Sequence, residues 1–313
     1  MSEKTYDSVF WTAVVKMKKH MIPFVNLAFG ERFTYGAEVV LKAGKQVVQD
    51  GDGAFQTGEV DTILEVSESL DSLVSRKCHF EIESSPNGFV AIRIAEYGAS
   101  HAYDSVEWND ERVVMTIPHS AVIFLRTTKS TPGSYTIEIR YPGGEAAYEV
   151  PTIRLSDFGI RELIEKRLFV LLPFIPFFFE KDFPRMEKGV GVGEIEDAIG
   201  EVDAGLDEAI NEGILTESDK QHIIDWMQRV FEKITVNYEK VQEGVEEIMG
   251  GYILHTRTDD ILDQGIEKGI EKRDREKIEI MLKKGKKPEE IVELCDYPIS
   301  LVLDVQDSIL TVV

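Results

Sequence analysis

The sequence predicts an α/β fold followed by an all-helical C-terminal extension, and three observations carry that prediction. A strand pattern over residues 78–84 leads through the turn-like run SSPNG into helix-compatible spacing over 89–103, the strand–helix unit of an α/β core. Runs rich in β-branched and aromatic residues return over 120–125, 135–141 and 145–153. Beyond Gly191 the apolar residues recur only at helical spacing. With 313 residues and 43% hydrophobic content, the chain can build one large domain, or a domain of roughly 150 to 200 residues with helical additions.

Taken in order, residues 8–20 place Val14 and Met17 at helical spacing, with Met21 next on the same face, and Pro23 marks an interruption. Strands are expected over 38–41 and 60–66, with the glycine-rich run GKQVVQDGDGAFQTGE between them as turn or loop. In the helix over 89–103, Ile92, Ala95, Ala99 and Ala102 set the apolar spacing. Pro142-Gly143-Gly144 connects two strands tightly, so the sheet ends in a hairpin. Residues 157–180 read as helix, then as an apolar wall over 169–179. Ile195, Ile199, Val202, Leu206, Ala209 and Ile210 form one stripe, ending near Gly213. Thr216 with Asp219 three residues on is a capping arrangement for the next helix, whose stripe is Ile223, Ile224, Met227, Val230, Phe231 and Ile234. The two stripes are expected to pack on each other. The tail over 261–313 alternates glycines with charged helical stretches and fits a small helix-turn-helix or a dimerising element.

Charge and cysteine usage narrow the function classes. Against 35 Lys and Arg stand 57 Asp and Glu, a formal charge of −22, and residues 191–260 alone hold 18 acidic and 5 basic groups. Such an excess opposes passive binding of nucleic acid, which needs concentrated Lys and Arg. Two distant cysteines, Cys78 and Cys295, make neither a disulfide framework nor a cysteine zinc site, and point to a reducing cytosol. No basic flank and apolar run mark the N-terminus for secretion, and the eleven-residue run 169–179, with Pro173 and Pro176, is too short to span a bilayer. The glycines over 51–58 lack the phosphate-loop pattern, so no nucleotide cofactor is expected, and nothing around Ser84 and Ser85 forms a nucleophile elbow.

The acids on two strands are the sharpest chemical feature. Glu81 and Glu83, two apart, project from one face, and Asp61 joins them if the neighbouring strand has the right register. Three carboxylates on one face repel one another unless a cation sits among them. A Mg²⁺ or Mn²⁺ ion would satisfy them, activate water and neutralise charge developing on a phosphodiester. The other reading of the same spacing is a solvated sheet face.

The run HFEIESSPNGFVAIRIAEY, preceded by the strand with Asp61, resembles the core of the PD-(D/E)XK nuclease superfamily, and within it the transposase-associated, recombination-promoting (Rpn-like) nucleases. PHSAVIFLR, YPGGEAAYEVP, LLPF and the glycine-punctuated tail are similar to long bacterial members, so the resemblance covers most of the chain. It implies a mixed central sheet flanked by helices, restriction-endonuclease-like, and a hydrolase performing Mg²⁺-dependent cleavage of DNA. By matching motif, Asp61 and Glu81 would hold the metal, with Glu83 at the third position. Arg93 and Tyr97 match the downstream arginine and tyrosine, and Asp7 is a looser match for the acid of the first helix. Glu83 stands where the family has Lys or Gln, and a carboxylate supplies neither the positive charge nor the amide donor of those residues. The domains expected are a nuclease-like α/β domain over 1–185, an acidic helical region over 186–260 and a charged helical tail over 261–313.

Arg93 and Tyr97, four apart on one helix, also suit plain packing of an arginine stem and a tyrosine ring. His79 points to the same face as Glu81, whereas His20, His101, His119, His222 and His255 share no ligand spacing. The competing function is that of a catalytically inactive or regulatory nuclease-fold protein. Its helical stripes and the wall over 169–179 would then build a homodimer or higher homo-oligomer.

Overall fold

The computed structural model describes residues 3–49, 55–68, 75–86, 89–109 and 111–253, with isolated positions beyond, and for 42–49 and 55–62 it describes the backbone. Residues 1–250 form one compact unit and 251–313 a second. The helix-turn-helix expected in the tail lies outside the described residues. Among the described residues no helix is long and apolar enough to cross a membrane.

The chain begins with α1 (Glu3–Lys16) and a 3-10 turn (Lys18–Met21), then α2 (Ile22–Phe29). Pro23 does not end a helix but opens one, since a proline in the first turn loses no intrahelical bond. Three strands follow, β1 (Glu38–Gln49), β2 (Phe55–Ser67) and β3 (Ser75–Glu83), before α3 (Val90–Asp104). A small hairpin, β4 (Glu107–Asn109) and β5 (Arg112–Val114), precedes β6 (His119–Phe124), β7 (Ser134–Tyr141) and β8 (Gly144–Arg154). The remainder is helical: α4 (Ile160–Glu165), a 3-10 segment (Phe169–Phe174), α5 (Pro176–Phe179), α6 (Phe183–Met186), α7 (Gly193–Asn211), α8 (Glu217–Ile234) and α9 (Glu239–Ile253).

Among the described residues one sheet has six strands in the order β1-β2-β3-β6-β8-β7. The first three are antiparallel, β3, β6 and β8 run parallel, and β7 folds back antiparallel on β8. The sheet is therefore mixed and central, with α3 on one face and α1 and α2 on the other. Phe24 and Phe29 both meet the ring of Phe80, which fixes the side taken by α2.

Two expectations are corrected here. The run over 44–59 is not a loop: most of it forms the outer arms of the β1–β2 hairpin, paired from Gly44↔Val60 to Gln49↔Phe55. Gly44 and Gly58, weighed as turn signals, sit within a ladder that Val47 and Val48 favour, and the register shifts between Lys42 and Gly44. In α3 the buried stripe is Val90, Ile94 and Ala102, while Ile92 faces outward. Val90 and Ile94 pack with Val122, Phe124 and Val150, under the partly buried Tyr135, Ile137 and Tyr148.

The stripes of α7 and α8 are buried as expected, apart from the half-buried Ile210. They touch each other, but α8 lies chiefly on the segment Phe169–Phe174 and α7 chiefly on α4. Gly205 permits the second approach, for a Cβ there would come within 2.4 Å of the Ile164 side chain. Thr216 closes a capping box: its hydroxyl accepts from the Asp219 N–H at 3.1 Å, and the Asp219 carboxylate accepts from the Thr216 N–H at 2.9 Å. Thr216→Ala is expected to destabilise the fold by about 1 kcal/mol, read as a lower urea midpoint with unchanged slope.

Candidate functional site

Strand β3 is buried on both faces over its last six residues, so its polar side chains lie inside the protein. Glu81 and Glu83 are 8% and 4% exposed, which rules out the solvated sheet face. His79, Glu81 and Glu83 alternate onto the face covered by α3, and Arg93, Tyr97 and His101 come down to meet them. The spacings match: two strand residues advance about 6.6 Å and four helical residues about 6 Å. Arg93 reaches the β3 C-terminal end, with its guanidinium on the Glu83 carboxylate and 3.9 Å from that of Glu81. At the other end the His79 ring meets the edge of Tyr97, with centroids 5.7 Å apart, and lies 6.3 Å from the ring of His101. The Nε2 of His79 is 4.0 Å from the Glu81 carboxylate.

One helix thus presents two adjacent stripes. Val90 and Ile94 face the apolar part of the sheet, while Arg93, Tyr97 and His101 face the polar part. Sequence reasoning singled out Arg93 and Tyr97 and passed over His101, whose signal is its place four residues past Tyr97 on the same stripe. Asp7 lies half-buried on α1. Asp61 lies on β2, and the β2–β3 ladder runs from Leu64↔Cys78 to Ser67↔Ser75, so it ends three residues short of Asp61. The Asp61 side chain is outside the described residues.

This arrangement corrects the catalytic expectation. Among the described residues, no group of three or more His, Cys, Asp and Glu side chains is placed to hold a metal ion. The readings of a Mg²⁺ or Mn²⁺ site and of a metal-dependent DNA endonuclease or other nuclease hydrolase are therefore withdrawn, and with them the roles in DNA binding and recombination. The physical reason is at the carboxylates themselves: the cation beside Glu83 and Glu81 is Arg93, a part of the fold. The guanidinium supplies, beside both carboxylates, the positive charge that a metal ion was expected to bring. Nor does Cys78 offer a nucleophile, because burial, aided by Glu31, pushes its thiol up to about 12.

His20 and His119 are shifted toward the neutral form. Burial lowers the pKa of His20, against an opposing pull from Asp219, and Tyr35, kept protonated by its own burial, hydrogen-bonds to its Nδ1. His119 is lowered by burial first and by Arg76 second. The native state binds protons at these rings more weakly than the unfolded chain, whose histidines titrate near pH 6.5, so stability falls as the pH drops through that value. We expect the melting temperature to decline between about pH 7.5 and 5.5, and the decline to shrink in His20→Phe.

Compared with protein-family models, with curated proteins and with solved structures, the chain matches none.

Proposed function

We propose that the chain is a non-catalytic relative of the PD-(D/E)XK nucleases that acts in a reducing cytosol by protein–protein association, including association with its own copies. The observation that carries this reading is the ion pair of Arg93 with Glu83, close to Glu81, which turns the family's metal-binding strand into part of the core. Exposed apolar residues favour association. On the β4–β5 hairpin Trp108 and Val113 are cross-strand partners, 73% and 65% exposed, and Met115 follows them at the surface. Exposed aromatics of this kind are characteristic anchors of protein interfaces. A charge of −22 favours protein partners over phosphate backbones.

The test uses the full chain with Mg²⁺, Mn²⁺ or EDTA. The expected result is no heat of metal binding, no metal-dependent shift in melting temperature, and no cleavage of plasmid, duplex, single-stranded DNA or RNA. Metal-dependent cleavage lost on Glu81→Ala would overturn the reading.

A further inference from the structure

We propose that β7 is a self-pairing edge through which two copies of this chain join their sheets around a two-fold axis, an inference that rests on the association reading above. β7 is the last strand in the sheet order, with β8 on one side and, among the described residues, no strand on the other. Its register with β8 fixes which backbone groups face outward. The Thr152 N–H donates to the Gly133 carbonyl at 3.0 Å, and Tyr141 pairs with Gly144 across the Pro142-Gly143 turn. Along an antiparallel strand the bonded positions alternate, so Tyr135, Ile137, Ile139 and Tyr141 bond to β8, while Thr136, Glu138 and Arg140 turn their N–H and C=O groups to the open side. Pro151, which has no N–H, sits opposite Ser134, a position of the non-bonded parity.

These outward groups suit one antiparallel register with a second β7. If Ile139 lies opposite Ile139, then Glu138 of each copy exchanges backbone bonds with Arg140 of the other. The side chains agree with that choice. Arg140 already lies against Glu138 of its own strand at 2.5 Å, so across the axis four charges alternate in sign around a square. On the opposite face Ile139 and Tyr141, 38% and 54% exposed, meet Ile139 and Ile137 of the other copy and extend the apolar layer beyond the cover of α3. Moving the centre one residue, to Glu138, places two carboxylates opposite one another and is disfavoured. Pro142 would fall opposite Thr136 and end the ladder. A pairing of this length buries less surface than a permanent dimer needs, so the association is weak, concentration-dependent and sensitive to salt.

Sedimentation equilibrium on the full chain, over a range of concentration and salt, tests the inference. The expected mass rises from 35.4 kDa toward twice that value and falls back with added salt. Arg140→Glu should weaken self-association at least tenfold with melting behaviour unchanged, and the charge-swapped Glu138→Arg/Arg140→Glu protein should recover it. A dimer indifferent to Arg140→Glu places the contact elsewhere and overturns the β7 pairing while association stands. A monomer at every concentration overturns both the pairing and self-association. Capture of an extended peptide on β7 by an otherwise monomeric protein likewise overturns the pairing between copies. Metal-dependent cleavage, measured separately, would remove the functional reading without bearing on the dimer.

Discussion

Arg93→Met is expected to lower the stability of the α/β unit by about 3 kcal/mol, because it leaves the carboxylate of Glu83 in the core without its cation. Methionine keeps much of the aliphatic stem, so the loss reports charge more than volume. The lower end of the range for broken buried pairs applies, since Arg93 keeps about a third of its side chain in solvent, with 36% exposed against 4% for Glu83. Glu83→Gln added to Arg93→Met should restore at least half of the loss, for a neutral amide costs far less to bury than a carboxylate. Chemical denaturation of the wild type, the two single variants and the pair gives the coupling directly. Strictly additive losses would mean that Arg93 acts by covering apolar surface, and the account of how β3 tolerates its acids would fail.

The same ion pair shows where sequence reasoning reaches its limit. Period-two alternation correctly placed Glu81 and Glu83 on one face, because strand geometry is local. What opposes that face depends on a helix beginning seven residues after β3 and on the rotation of that helix about its axis. Of the expected core stripe only Ala102 is buried: Ile92 and Ala99 face outward, Ala95 is half-buried, and Val90 and Ile94 take the core positions instead. Turning the helix to bury them also swings Arg93 over β3, and the space assigned to a metal receives a guanidinium. Alternation made β3 legible, β-branched residues and the Pro-Gly-Gly turn did so for the β7–β8 hairpin, and helical spacing of apolar residues did the same for α7 and α8. Long-range facts were not legible. Arg167 is the one non-glycine residue with positive φ among the described residues, 58°, at the end of α4 where glycine is usual. Its guanidinium stacks over Tyr35, a partner 132 positions earlier that only the fold brings near.

A second large effect is expected at Arg126, which ties the ends of two parallel strands to the helical layer. Leu125 continues from β6 and donates its N–H to the Glu83 carbonyl at 2.9 Å, so the chain reaches Arg126 in fixed register with β3. The guanidinium then makes two bonds to Glu180, at 2.6 and 2.7 Å, and a third to the Ser84 carbonyl at 3.3 Å. It lies 4.6 Å over the ring of Phe177, which Tyr6 meets edge-on at 5.1 Å. Sheet, α1 and α5 therefore converge on one planar cation, and about a third of each charged side chain is exposed. Partly buried charge-assisted pairs of this kind give about 2 kcal/mol, and we expect Arg126→Met to lose about that amount. Arg126→Lys should lose more than half as much, because an ammonium cannot make the paired bonds to Glu180 or stack flat on Phe177. Glu180→Gln tests the anion alone, and the cycle of single and double variants measures the pair. A lysine that fully replaces Arg126 would show that charge, rather than the planar fork, holds this junction.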